Sequence, residues 1–153
     1  MHQARFELST SDDSTMFARA LARQLGAGDT VLLSGPIGAG KSHLARGIIH
    51  AILGTNEDVP SPTFTLVQTY QAPRFEIWHA DLYRLSSIAE VDELGLTEAF
   101  DNALCLIEWP DRLGHEAPAD ALEIELAIKD EGRVATVRST DPRWARVFEA
   151  LGV

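Results

Sequence analysis

The chain has one cysteine among its 153 residues. An internal disulfide is therefore excluded. Cys105 lies in the apolar run Leu104-Cys105-Leu106-Ile107 and reads as a packed core residue of a reducing compartment. Lysine is almost as scarce: Lys41 and Lys129 are the two in the chain, and arginine supplies the rest of the 13 basic residues. Against 23 acidic residues these leave a formal charge of −10. That balance argues against a wide basic face laid on a nucleic-acid backbone, but it permits a role in RNA metabolism through a protein partner. No apolar run approaches the roughly 20 residues of a membrane helix. The start, Met1 to Glu7, shows no basic segment followed by an apolar stretch, so it does not read as a signal peptide. The expectation is a cytoplasmic protein of one domain. Neither Cys105 nor the five histidines have the spacing of a structural zinc site.

What is present is an alternation of strand and helix signals, without repeats or low-complexity tracts. Phe6 to Ser9 reads as a short strand. A helix follows from Ser11 or Asp13, with Met16, Phe17, Leu21 and Leu25 at helical spacing and Gly26 at its end. Thr30 to Ser34 is a buried strand, and Lys41 to Leu53 a helix with Leu44, Ile48, Ile49 and Ile52 inward, stopped by Gly54. Strands are expected over 65–71 and 75–81, a helix over 88–100 broken at Gly95, and a strand over 103–107. Leu122, Ile124, Leu126 and Ile128 alternate with polar or small residues, the pattern of a half-buried strand. Asp130-Glu131-Gly132 turns it into a return strand, Arg133 to Thr140. Pro142 opens a terminal helix with Trp144, Val147, Phe148 and Leu151 inward. The pattern predicts an α/β three-layer sandwich of the P-loop NTPase kind. Its central sheet is mixed and mostly parallel, with an antiparallel hairpin near the C-terminus.

Between the strand at Thr30 and the helix at Lys41 lies Gly35-Pro36-Ile37-Gly38-Ala39-Gly40-Lys41-Ser42, a G-x-x-x-x-G-K-[ST] motif. Its glycines let the backbone curl so that N–H groups converge on phosphate oxygens. The lysine reaches the β- and γ-phosphates, the hydroxyl ligates magnesium, and the helix presents its positive end. At ordinary residue frequencies the motif arises by chance in well under about 1% of chains this long. The flanking strand and helix are the context it requires.

Such a site also needs an acid at the end of a neighbouring strand. Glu108 and Asp81 both qualify, each closing an apolar run at the edge where ligands bind in open α/β sheets. His79 shares a strand face with Asp81, because alternate residues lie on one side. Trp109 either lines the nucleotide pocket or plugs the sheet edge. Trp78 and Trp144 read as core or interface residues, and the His43 side chain as outward-facing. No N-K-x-D motif for reading guanine is present, which favours ATP over GTP.

Four segments together resemble the bacterial TsaE (YjeE) ATPases, which act in forming N6-threonylcarbamoyladenosine in tRNA. They are Leu33 through Ser42, Ser61-Pro62-Thr63-Phe64-Thr65-Leu66-Val67, His79-Ala80-Asp81-Leu82-Tyr83-Arg84-Leu85, and Ile107-Glu108-Trp109-Pro110-Asp111. The resemblance implies that Gly35 and Gly38, Ala39, Gly40, Lys41, Ser42 and His43 hold ATP, and that Ser42 and Glu108 hold Mg2+. It makes Lys41, Asp81 and Glu108 the catalytic groups, with Asp81 positioning water or holding the metal's water shell. Thr63 or Thr65 would sense the γ-phosphate and Trp109 would lie beside the site. Ser11 or Thr15, and Arg133, would approach the nucleotide from the base side. Two departures stand out: Pro36 where the family usually has an acid, and Ser42-His43 where two threonines are common.

The implied function is a weak ATPase that binds and resets a TsaB–TsaD complex acting on adenosine 37 of tRNA, with tRNA reached through those partners. Arg84 is a candidate cation in cis, and a partner could supply one in trans. Two alternatives remain. One is a nucleotide-gated binding module without hydrolysis. The other is a small-molecule P-loop kinase, disfavoured because no segment reads as an Arg/Lys-rich lid.

Overall fold

The computed structural model describes residues 2–54, 59–60, 62 and 66–152. Its sheet is built outward from two strands that are apolar almost throughout, β2 (Thr30–Ser34) and β5 (Leu104–Glu108). Such strands must be covered on both faces. They pair in parallel, with Leu33 opposite Glu108. Beside β5 lies parallel β4 (Glu76–Asp81), which places Asp81 opposite Glu108. On the far side of β2 comes parallel β6 (Leu122–Lys129). The flanks are antiparallel: β3 (Val67–Gln71) on β4, β7 (Gly132–Ser139) on β6, and β1 (His2–Leu8) on β7. The order is β1-β7-β6-β2-β5-β4-β3. The mixed sheet, parallel in its middle, is as expected.

Alternate strand residues feed two cores. Val31, Leu33, Leu104, Leu106 and Ile124 pack with Leu21 of α1 (Ser11–Ala22), with Leu44, Ile48 and Ile49 of α2 (Lys41–Leu53), and with Val147 of α5 (Ala145–Ala150). On the opposite face Leu32, Cys105 and Ile107 pack with Val91 of α3 (Ala89–Glu93) and with Leu96 and Phe100 of α4 (Leu96–Asn102). Each fully buried Leu or Ile contributes about 1.5–3 kcal/mol. Helix α1 opens with Thr10 as its cap. The Thr10 side chain accepts from the Asp13 N–H and the Asp13 carboxylate accepts from the Thr10 N–H, which satisfies two otherwise orphan donors.

Several expectations are corrected. The first strand begins at His2 rather than Phe6, because its whole length pairs with β7 from His2–Ser139 to Leu8–Arg133. Met16 is 68% exposed: the inward stripe of α1 is Phe17, Ala18, Leu21 and Ala22, and residue 16 points off it. Ile128 is exposed, since the in–out alternation of β6 ends after Leu126. A 3-10 segment over Pro110–Glu116 follows β5, and the terminal helix begins as a 3-10 turn, Pro142–Trp144, before α5. The break at Gly95 falls where expected, with φ 84° between α3 and α4. Cys105 and Trp144 are buried core residues.

Candidate functional site

Strand β2 delivers the chain to Gly35, where φ is 137° and the backbone passes close to β6. A Cβ there would sit 2.3 Å from the Leu126 carbonyl oxygen, so no other residue fits without moving a strand. The loop then curls through Pro36 and Ile37 to a buried Ala39, whose N–H donates to the Pro36 carbonyl (3.1 Å). Gly40 caps α2 in the left-handed region and offers no side-chain acceptor. The first-turn N–H groups of α2 have no intrahelical partner and sit at the positive end of its dipole, which suits an anion.

Lys41 opens α2 and folds back into the loop. Its Nζ donates to the carbonyls of Gly35 (2.6 Å) and Pro36 (3.0 Å) and lies 4.2 Å from the centre of the Trp109 ring. The residue is 5% exposed. Burial holds its pKa below the ordinary lysine range, opposed by the Glu108 and Asp81 carboxylates. Trp109 has a left-handed backbone (φ 59°, ψ 54°), rare for a bulky residue. Its ring lies against Tyr83, with centroids 4.9 Å apart.

The two acids meet the loop from below. The Ser42 hydroxyl donates to Glu108 Oε1 at 2.7 Å, and His79 Nε2 lies 2.6 Å from Glu108 Oε2. Both carboxylate oxygens are thus engaged, in a chain running His79–Glu108–Ser42. His79 is 0% and Glu108 2% exposed. His79 Nδ1 has no hydrogen-bond partner among the described residues. Asp81 is also buried and accepts from the Tyr83 N–H (3.1 Å). Lys41, Ser42, Asp81, Glu108 and Trp109 line one cavity of about 450 Å³ with Arg46, Tyr83 and Arg84. Its donor set is hard oxygen: a hydroxyl and carboxylates beside a phosphate-shaped loop. That fits Mg2+, which is commonly held by one or two protein oxygens, substrate phosphates and water. Among the described residues no group of three His, Cys, Asp or Glu side chains could hold a metal.

On the other side of the loop, a second cavity of about 290 Å³ lies between Ser9, Thr10, Ser11 and Ser14, the loop residues Ala39, Gly40 and His43, and Glu131, Gly132 and Arg133 of the hairpin. Arg133 Nη2 donates to the Gly38 carbonyl at 3.0 Å, tying hairpin to loop. Ser11, His43 and Arg133 therefore reach this cavity. Thr15 does not: its hydroxyl donates to the Ser11 carbonyl (3.0 Å), and the residue lines a groove between α1 and α2 instead. The His43 side chain is exposed, as expected. Thr63 and Thr65 lie outside the described residues. Sequence reasoning missed the contact between His79 and Glu108 and the placement of Arg46. The two-residue spacing of His79 and Asp81 on a strand was the available signal for the first.

Among the described residues no helix is long and apolar enough to cross a membrane. The family profile for "Threonylcarbamoyl adenosine biosynthesis protein TsaE" matches residues 8–136. A curated protein of Rickettsia bellii, "tRNA threonylcarbamoyladenosine biosynthesis protein TsaE", is 42% identical over 126 residues, covering 82% of this chain and 88% of that one. Its namesake in Bacillus subtilis is 29% identical over 153 residues, covering 99% and 95%. A crystal structure of Bacillus subtilis YdiB superposes with a TM-score of 0.82 at 26% identity, covering 98% of this chain and 94% of that one.

Proposed function

The chain belongs to the TsaE family of tRNA threonylcarbamoyladenosine biosynthesis, and on that premise we propose that it binds ATP with Mg2+ and hydrolyses it to drive a TsaB–TsaD complex through its cycle. One observation carries this reading: Lys41, Ser42, Asp81 and Glu108 converge on one cavity at the first turn of α2. The bound metal would supply charge neutralisation between the β- and γ-phosphates. Ser42 and Glu108 are the residues to hold it.

The loop N–H groups grip the phosphates, while the cavity around Ser11, His43 and Arg133 takes the nucleoside. Lys41 exchanges the Gly35 and Pro36 carbonyls for phosphate oxygens, which gives its buried charge a charged partner. Asp81, opposite Glu108 and accepting from the Tyr83 N–H, would orient water toward the γ-phosphate. Arg84 and Arg46 line the same cavity and are the cis candidates for meeting charge that develops there. A cation at that point is worth about 10³–10⁵ in rate, so hydrolysis is weak alone and faster in complex if a partner completes the set.

The experiment is phosphate release from ATP by the purified protein, alone and with its cognate TsaB–TsaD pair, with Lys41→Ala as control. Release that rises on adding the pair and disappears in the control supports the proposal. ATP bound but never hydrolysed in either setting refutes the hydrolytic part and leaves a nucleotide-gated binding module. Pro36 is the observation that favours this second reading, because it places no carboxylate at the head of the loop.

A further inference from the structure

Arg133 stands near the head of β7, in register with Leu8 on β1 and with Ile128 on β6. It belongs to three paired strands, so the sheet fixes its backbone. The residue before it adds to this. A Cβ at Gly132 would lie 2.9 Å from both the Leu8 carbonyl oxygen and the Ser9 Cα, so the turn is seated tightly on the link from β1 to α1. From this base the guanidinium reaches two carbonyls at once. Nη1 donates to Gly132 at 2.9 Å, and Nη2 to Gly38 at 3.0 Å.

The second bond lands on a peptide unit that is held at its other end as well. The Gly38 carbonyl and the Ala39 N–H belong to one planar group. Its N–H donates to the Pro36 carbonyl at 3.1 Å, and its oxygen accepts from Arg133. Gly38 has need of such a restraint. Its φ is 84°, and no atom lies within 4 Å of where a Cβ would be. Packing therefore does not hold residue 38, and glycine passes readily between backbone conformations. Rotation of that peptide would carry with it Gly40, Lys41 and Ser42, which open α2 and present N–H groups without intrahelical partners.

The Lys41 bonds to the loop are of a different kind. Its Nζ holds the Gly35 and Pro36 carbonyls, and on the nucleotide reading it leaves them for phosphate. The Arg133 bond makes no such exchange. It sits on the carbonyl side of a trans peptide, opposite the N–H, so it persists when an anion enters.

We propose that Arg133 is a positioning residue: bridging Gly132 and Gly38, it presets the phosphate loop and acts on the polyphosphate rather than on the nucleoside. This rests on the nucleotide reading above and sharpens it. Arg133 lines the cavity assigned to the nucleoside, but two of its nitrogens are engaged by backbone carbonyls. A planar fork suits a two-carbonyl bridge in a way that an ammonium does not. A loop already held in its binding shape loses less freedom when it takes up its ligand.

The test is calorimetric titration of the full chain with Mg-ATP and with inorganic tripolyphosphate plus magnesium, the second probe having no nucleoside. Arg133→Met keeps the stem and removes the donors. It should weaken both probes by the same factor, about five- to tenfold. Arg133→Lys keeps the charge without the fork and should recover only part of the loss on either probe. Thermal unfolding of the ligand-free variants verifies folding. If Arg133→Met fails to fold, Arg133→Lys decides by itself: a loss on both probes supports the proposal and none overturns it. Weakened ATP with unchanged tripolyphosphate would assign Arg133 to the nucleoside and overturn the proposal. So would unchanged binding of both probes, or full recovery by lysine, which would leave only its charge. A native protein that binds ATP but not tripolyphosphate has no preset loop, and the proposal alone falls. One that binds neither probe refutes the nucleotide reading itself, and the proposal with it.

Discussion

Replacing His79 by leucine isolates what the histidine does for Glu108. The two side chains are similar in size, so little cavity is added, and the main change is loss of the 2.6 Å contact to Glu108 Oε2. Glu108 is 2% exposed, so water cannot readily replace the lost partner. A buried carboxylate deprived of one of two hydrogen bonds costs about 2–4 kcal/mol. For a chain of this size that corresponds to a fall in melting temperature of roughly 5–15 °C.

Urea denaturation at fixed m-value measures it. A double-mutant cycle assigns it: His79→Leu together with Glu108→Leu should recover most of the loss, because an apolar pair leaves nothing unsatisfied. The Ser42 hydroxyl then loses its acceptor but sits nearer solvent. The single variant should also lose about tenfold in Mg2+-dependent nucleotide affinity, about 1.4 kcal/mol, since Glu108 is no longer held toward Ser42. Metal-free nucleotide binding should change much less. A His79→Leu cost below about 0.5 kcal/mol, or strictly additive single and double variants, would refute the reasoning.

Two further outcomes follow from the geometry. Gly35→Ala forces a Cβ to 2.3 Å from the Leu126 carbonyl, so it should destabilise the fold by roughly 2–4 kcal/mol and abolish nucleotide-induced thermal stabilisation; a variant that keeps both native melting and nucleotide binding would contradict the close approach. Burial pushes the Cys105 thiol up to about 12 from 9.0. Between those values the unfolded thiol has lost its proton and the folded one keeps it, so the folded state binds more protons and this residue's contribution to stability falls as pH rises. Cys105→Ala should flatten the alkaline decline by up to about 1.4 kcal/mol per pH unit at most. Native protein at pH 8 should be inert to a thiol reagent until it unfolds.

Much of the candidate site is written in local sequence. The glycine-rich loop lies between an apolar strand and a helix, and its lysine and serine follow the last glycine without a gap, so their placement at the helix start needs only short-range backbone preferences. The same holds for the break at Gly95, the turn at Asp130-Glu131-Gly132 and the in–out alternation of β6 as far as Leu126. Where the sequence alone misled, a long-range neighbour decided. Pairing with β7 extended β1 to His2, and packing took Phe17, Ala18, Leu21 and Ala22 as the inward stripe of α1, which left Met16 outward.

What tertiary structure alone decided is which groups touch. Asp81 and Glu108 are both strand-end acids, and nothing in either segment says that Ser42 donates to Glu108 rather than to Asp81. That choice is made by the parallel register of β4, β5 and β2, set across crossover connections by packing on both faces. The contact of Arg133 with Gly38 spans 95 residues. The close approach of α2 to α1 likewise depends on Gly47 facing Ala18, where a Cβ would lie 3.0 Å from the Ala18 Cβ, a contact that no local pattern specifies. Short-range preferences determine where each element begins and what it carries; burial of shared apolar faces determines which elements become neighbours, and so which chemistry is brought together.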